Sequence, residues 1–292
     1  MDWNWDTNIT KDALVDLYVR KKLGMRAIAE IFRVRRETIR RHLKRYEIPV
    51  DASIRKWSST SKLKPTRLQL EFMYGTIMGD SGVYRTNKGA ISTRMAFSHC
   101  AEQFDYILWK RAILGRLCAS RKVKVYVSRD GNRTCINTAT YSCHFFRGLR
   151  DVFYDPNGRK RVTQSILDRM TDFSVAVWYM DDGCRKKLGM ELATCHFNIE
   201  EHELMRKWFM MKWGIRPIIR KFQTGHTLFF NKVNSWRLSE LLRKYVIPSM
   251  KYKIDVPIDP QRLHEGLLRE EKMIQSELHG DMQSATETSA PA

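Results

Sequence analysis

Two stretches about a hundred residues apart constrain this chain most: Gly75-Thr76-Ile77-Met78-Gly79-Asp80-Ser81-Gly82 and Ala176-Val177-Trp178-Tyr179-Met180-Asp181-Asp182-Gly183. Each reads as an apolar helical turn that runs into an aspartate and then a glycine. A carboxylate at a helix carboxyl terminus faces the negative end of the macrodipole, which costs stability. The arrangement occurs twice in a chain whose 52 Lys and Arg outnumber 32 Asp and Glu, for a net charge of +20. It therefore implies a positive species against both carboxylates, and a divalent metal ion is the natural candidate. Gly75 and Gly79 are four apart on one helix face, open to close approach by another backbone. If the second motif helix packs there, Asp80 and Asp182 emerge side by side and repel unless cations lie between them.

The basic excess fits a polyanionic partner, nucleic acid ahead of a membrane surface. A hydrophobic fraction of 43% and an aromatic fraction of 11% describe a folded protein rather than a basic tail. Its 292 residues allow one large domain or two to three smaller ones. No apolar run reaches the roughly 18 residues a membrane span needs, and the first ten residues lack a signal pattern. The six cysteines form no CxxC pair and are too sparse for a disulfide framework, so a reduced, intracellular setting is expected.

Residues 8–48 predict three short helices, with Ala13, Leu14, Leu17 and Tyr18, then Ile28, Ala29 and Ile31, then Ile39, Leu43 and Tyr46 on their apolar faces. The pattern resembles a helix-turn-helix whose third helix carries Arg36, Thr38, Arg40, Arg41 and Lys44, as a major-groove recognition helix would. The turn residue is Arg33 rather than glycine, and a left-handed backbone there would cost about 1 kcal/mol. The alternative is a helical adaptor with a solvated basic face. Residues 49–65 read as a basic, polar linker.

The main domain is expected over 66–257, as two similar halves at 66–170 and 171–257. Each has a motif helix, alternating strands and amphipathic helices. Residues 122–128 alternate strictly, which predicts a half-buried strand with its valines inward and Lys122, Lys124, Tyr126 and Ser128 outward. Further strands are expected over 94–98, 133–141, 190–197, 216–222 and 226–231, and helices over 102–117 and 199–213. Residues 258–292 predict a terminal helix and then, from His279, a disordered tail.

In this order and spacing, the set resembles the LAGLIDADG homing endonucleases, in their single-chain, two-motif form. Supporting blocks are Phe104-Asp105-Tyr106-Ile107-Leu108-Trp109-Lys110, Phe197-Asn198-Ile199-Glu200-Glu201 and Ile247-Pro248-Ser249-Met250-Lys251-Tyr252-Lys253. The resemblance covers roughly residues 66–257. It implies an α+β fold: a pseudo-twofold pair of αββαββα halves with two saddle-like antiparallel sheets, behind the small three-helix module.

The resemblance further implies site-specific hydrolysis of one phosphodiester on each DNA strand, leaving short 3′ overhangs. Asp80 and Asp182 would hold Mg²⁺, two or three ions per pair of sites, with Mn²⁺ as a substitute. Lys253 matches the family's lysine, and Lys160 is its first-half counterpart. Strand side chains would read the major groove: Arg94, Ser98, Lys122, Lys124, Tyr126, Ser128 and Arg133 in the first half, Arg216, Arg220, Lys221 and Gln223 in the second. The expected partner is double-stranded DNA, with intron RNA as a second, no membrane, and a monomeric state. The expected location is on DNA in the cytoplasm or nucleoid of a bacterial or phage host, or in an organelle. The competing reading is a non-cleaving regulator or an intron RNA maturase.

Asp181 is expected to be structural or electrostatic rather than a ligand, because adjacent helix residues point apart. The pairs His99/Cys100 and Cys195/His196 invite a zinc reading, but neighbouring strand residues face opposite ways, which favours core packing. Val177 and Asp181 occupy the places of Gly75 and Gly79, so the seam cannot be symmetric. Ala96 and Ala193 stand where related enzymes often place polar side chains.

Overall fold

The computed structural model describes residues 9–21, 23–50, 64–85, 93–118, 123–127, 134–223 and 225–287. The chain divides into two units, Met1–Lys64 and Pro65–Ala292. In the first, α1 (Lys11–Leu14) continues as a π-helical stretch over Val15–Arg20, followed by α2 (Met25–Ile31) and α3 (Arg36–Arg45). Leu14, Tyr18, Ile28, Ala29, Ile39 and Leu43 belong to its core, whereas Ile31, expected inward, is 55% exposed because it ends α2 two residues past the buried Ala29. Tyr46 ties the end of α3 to the segment just before α1 by donating to the Ile9 carbonyl at 2.9 Å. The α2–α3 turn does place Arg33 in the left-handed region, at φ +55°. On α3, Arg40, Arg41 and Lys44 are exposed, and Arg36 and Thr38 partly so.

The second unit alternates as the sequence predicts. Its first half runs α4 (Arg67–Met78), β1 (Gly82–Arg85), β2 (Thr93–Cys100), α5 (Phe104–Leu114), β3 (Lys124–Val127), β4 (Thr134–Ala139) and α6 (His144–Phe153). After the short α7 (Gln164–Leu167), the second half repeats it: α8 (Asp172–Asp182), β5 (Gly183–Lys186), β6 (Gly189–Leu192), α9 (Ile199–Trp213), β7 (Ile218–Phe222), β8 (Gly225–Asn231) and α10 (Lys232–Leu242). Each half builds a four-stranded antiparallel sheet of matching order, β1-β2-β4-β3 and β5-β6-β8-β7. The long α11 (Pro260–Glu287) closes the chain and continues past His279, where the sequence predicted disorder. Helix propagation from the packed turns accounts for the extra length, since each added residue gains a hydrogen bond for one residue fixed.

At the centre, α4 and α8 pack along each other. Both begin with capping boxes, at Thr66 with Gln69 and at Thr171 with Ser174. Every residue from Phe72 to Met78 and from Phe173 to Asp181 is buried, as expected of helices enclosed on all sides. Gly75 permits the contact: a Cβ there would lie 2.2 Å from the Ser174 carbonyl oxygen and 2.8 Å from Val177 Cβ. Ser174 Oγ also donates across the seam to the Glu71 carbonyl at 2.8 Å.

Alternation along β2 turns Met95, Phe97 and His99 into the core and leaves Arg94, Ala96 and Ser98 on the open face. The edge strand β3 corrects one expectation. Its valines are not half-buried, because Val125 and Val127 are 63% and 61% exposed. At the sheet edge, paired only with β4 among the described residues, β3 has all four residues exposed, so its alternation does not mark a buried face. Lys122, Ser128 and Arg133 fall outside the described residues.

Two stability outcomes follow. Gly75→Ala drives a methyl into a backbone carbonyl and should cost about 2–3 kcal/mol in urea unfolding. Arg33→Gly relieves the left-handed strain and should stabilise the first unit by about 1 kcal/mol.

Candidate functional site

The carboxyl ends of α4 and α8 meet, and the site grows from that junction. Gly79 ends the first helix with no side chain, and the space a Cβ would fill belongs to Asp181, whose Cβ is 2.5 Å from that position. The Asp181 carboxylate therefore crosses the seam into the first half. There Oδ1 accepts from Lys110 Nζ at 2.5 Å and Tyr106 OH at 2.7 Å. Oδ2 accepts from Thr76 Oγ1 at 2.9 Å and the Asp80 backbone N–H at 3.3 Å. Lys110 also reaches Thr76 Oγ1 at 3.0 Å and lies 4.5 Å from the Tyr106 ring centre.

Asp181 and Lys110 side chains are fully buried. Burial works to raise the Asp181 carboxyl, but the Lys110 charge, helped by the hydrogen bonds from Lys110 and Tyr106, holds it below the usual range. Asp181 is thus an ionised, four-donor anchor, the structural role the sequence suggested.

Asp80 and Asp182 differ from it. Neither makes an ion pair with a Lys or Arg among the described residues. Burial first, then the charges of Asp80 and Asp181, pushes the Asp182 carboxyl up to about 8. Asp80 is raised by burial and by Asp181. His99 Nδ1 lies 3.0 Å from Gln103 Oε1 and 3.5 Å from Asp80 Oδ2. Burial and Lys110 lower its imidazole to about 4, so it stays neutral and supplies no counter-charge.

Two lysines complete the junction without neutralising the acids directly. Lys160 donates to the carbonyls of Gly79 at 2.8 Å and Ser81 at 3.2 Å. Lys253 donates to those of Met180 at 2.6 Å and Asp181 at 3.1 Å. Each ammonium thus sits on the exposed carbonyls of one motif helix, offsetting the negative end of its dipole. Both are placed by their neighbours. Glu201 brackets Lys160 by accepting from Arg159 Nη1 at 2.8 Å and the Val162 N–H at 2.9 Å. Tyr179 OH reaches the Lys253 carbonyl at 3.3 Å. Burial lowers both ammonium groups, and the nearby carboxylates oppose it.

The structure thus brings together Asp80, Asp182, Lys160 and Lys253, the four residues singled out for chemistry. Two carboxylates raised by burial and by neighbouring negative charge, with their lysines committed to main-chain oxygens, suit a divalent cation. His99, Asp80 and Asp181 also offer ligand atoms within 4.8 Å of one another, but both Asp181 oxygens already accept two donors each. His99 and Cys100 face opposite sides of β2, buried and half-buried respectively, as the core-packing reading expects.

Of the residues expected on nucleic acid, Arg94, Ser98, Lys124 and Tyr126 share the open face of the first sheet, where Ser98 Oγ and Tyr126 OH lie 2.9 Å apart. In the second sheet Arg220 stacks over the Phe229 ring, exposed Lys221 points to the other side of β7, and Gln223 takes a left-handed turn at φ +42°. Arg216 is elsewhere: its guanidinium binds Glu270 at 2.9 Å and Glu277 at 3.1 Å on α11. Sequence reasoning missed Tyr106, Lys110 and Thr76 as site residues. The signal was present, since Tyr106 and Lys110 are four apart in a block already noted, and a lysine on a buried helix face needs a carboxylate.

The description "LAGLIDADG DNA endonuclease family" matches the chain over residues 70–238. Two relatives are named cytochrome b mRNA maturase bI2. That of Debaryomyces hansenii is 29% identical over 197 residues, 63% of this chain and 72% of the relative. That of Saccharomyces cerevisiae is 27% identical over 200 residues, and the matched region is 47% of its length. Among solved structures, the homing endonuclease I-WcaI bound to its DNA recognition sequence superimposes with a TM-score of 0.62 at 21% identity, over 72% of this chain and 95% of that one. With the matched region spanning both motif helices and most of both sheets, the chain belongs to the LAGLIDADG DNA endonuclease family.

Proposed function

We propose that the protein is a metal-dependent, site-specific endonuclease that hydrolyses one phosphodiester on each strand of double-stranded DNA. The observation that carries this reading is the pairing of Asp80 and Asp182 at one helix junction, where neighbouring negative charge helps hold Asp182 at about 8. Divalent cations held by Asp80 and Asp182 would supply Lewis acidity for attack on phosphorus and for departure of the 3′-oxygen. Lys160 and Lys253 each use two of three N–H donors on main-chain carbonyls. The third is free to meet charge developing on a phosphate.

The open faces of the two sheets supply the DNA surface, with Arg94, Ser98, Lys124 and Tyr126 in one half and Arg220 and Gln223 in the other. Exposed Arg40, Arg41 and Lys44 on α3 add contacts outside the cleavage site, in the manner of a helix-turn-helix. Arg216 is left out, because its charge is spent on α11. RNA maturase function is the second reading, favoured by the two relatives of that name.

Incubating the protein and Mg²⁺ with a random or genomic DNA library, then sequencing the new ends, tests the proposal. Recurrent double-strand ends at one long site are expected, and Asp80→Asn and Asp182→Asn should remove them. Absence of cut ends with wild type, alongside specific retention of intron RNA, would establish the maturase instead. Affinity for the selected site should fall about 10³–10⁵-fold between 50 and 200 mM salt, if six to ten phosphates are neutralised.

A pH effect follows from Asp182. Its carboxyl is raised, so between about pH 4 and 8 the folded chain keeps a proton that the unfolded chain has released. Metal-free stability therefore falls as pH rises through that window. Asp182→Asn should melt higher than wild type at pH 8, by on the order of 1–2 kcal/mol, and match it near pH 4. Mg²⁺ should stabilise wild type more at pH 8 than at pH 6, because binding displaces that proton.

A further inference from the structure

The seam is chemically unequal in a way the nuclease reading does not use. Position 79 of the first motif is glycine, and the matching position 181 of the second is aspartate. Only one side chain therefore crosses between the motif helices at this level, and it crosses toward Asp80. Asp181 Oδ2 accepts the Asp80 backbone N–H at 3.3 Å, and its other oxygen is pinned by Lys110 and Tyr106. Asp80 follows the last turn of α4, where the Gly79 N–H bonds back to Gly75 and the Ser81 N–H to Thr76, so the Asp80 N–H is the group between them that needs an outside acceptor. Asp182 closes α8 within the helix itself.

From this we infer that Asp181, fixed by Lys110, is a positioning residue for Asp80: it sets the main chain from which that acid presents its carboxylate to a divalent cation. The inference rests on Asp80 and Asp182 holding metal. Strand cleavage should then depend on Asp181 unequally, since among the described residues Asp182 has no such support from across the seam. Nothing about Asp181 requires it to touch metal or DNA, because all its lone-pair directions are taken by protein donors.

Asp181→Asn isolates the effect. With its oxygen turned to Lys110 and Tyr106, the amide nitrogen faces the Asp80 N–H, donor against donor. Tyr106→Phe is the control, removing one donor to Asp181 while leaving the Asp80 link intact. Mn²⁺ titration of the full chain, followed by the loss of the free-ion resonance, reads the site without any cleavage. Asp181→Asn should weaken Mn²⁺ binding about tenfold, and Tyr106→Phe less than twofold. On a supercoiled plasmid bearing the selected site, Asp181→Asn should accumulate nicked circle where wild type gives linear product.

Unchanged Mn²⁺ affinity in Asp181→Asn, or equal weakening in both variants, would overturn the inference. If wild type binds Mn²⁺ but cuts nothing, and Asp181→Asn still weakens Mn²⁺ selectively, the positioning role stands and the nuclease reading falls. Should Asp181→Asn not fold, the wild-type Asp80 amide decides the matter. It should exchange with solvent slowly despite the exposure of its side chain, and free exchange would contradict the link.

Discussion

The close packing of α4 on α8 is the constraint on which the second unit depends. A glycine face on one helix lets the backbones approach until a single Cβ at position 75 would collide with a carbonyl oxygen. That proximity is what brings the two helix ends, and the acids that follow them, to one place. It also creates the need for the Asp181–Lys110 pair. A carboxylate forced into a seam this tight is cut off from bulk solvent and survives only with a full set of donors. Lys110, Tyr106, Thr76 and a backbone N–H provide them.

Acids at helix carboxyl termini oppose the macrodipole, and the structure shows how the opposition is reduced. Lys160 and Lys253 do not pair with Asp80 and Asp182. They bind the helix-end carbonyls, the source of the negative potential, and leave the carboxylate oxygens open. The negative charge that remains is what the proposed cations would neutralise. Repetition of the device in both halves, from residues far apart in sequence, argues for shared chemistry and not for two coincidental salt bridges. The halves nonetheless differ at the helix ends, where Asp181 reaches across to the Asp80 N–H and, among the described residues, no first-half side chain makes the matching bond to Asp182.

Much of this was legible in the sequence because the decisive features are local. Motif helices, the strand over 94–98 and the left-handed turn at Arg33 are each set by neighbouring residues. The side-by-side placing of Asp80 and Asp182 follows from the motifs themselves, and the family resemblance added the choice of Lys253 and Lys160. What escaped depends on contacts between distant segments. Lys110 is one of many lysines in a basic chain, and only the fold brings its Nζ to Asp181 on α8. Arg216 looked free until α11 laid Glu270 and Glu277 against it. The valines of β3 alternate like a buried strand, yet an edge position leaves both faces open. None of these outcomes follows from periodicity, which reports a segment's own pattern and not what covers it.

The central claim is that Asp80 and Asp182 together hold divalent cations at the seam while Asp181 does not. Crystals grown with Mn²⁺ and the selected DNA, and a map of anomalous scattering at the manganese edge, address it most directly. Peaks within about 2.0–2.5 Å of Asp80 and Asp182 oxygens, with Asp181 still on Lys110, are the predicted result. Manganese bound by His99 and Asp181, or none beside Asp182, would contradict it.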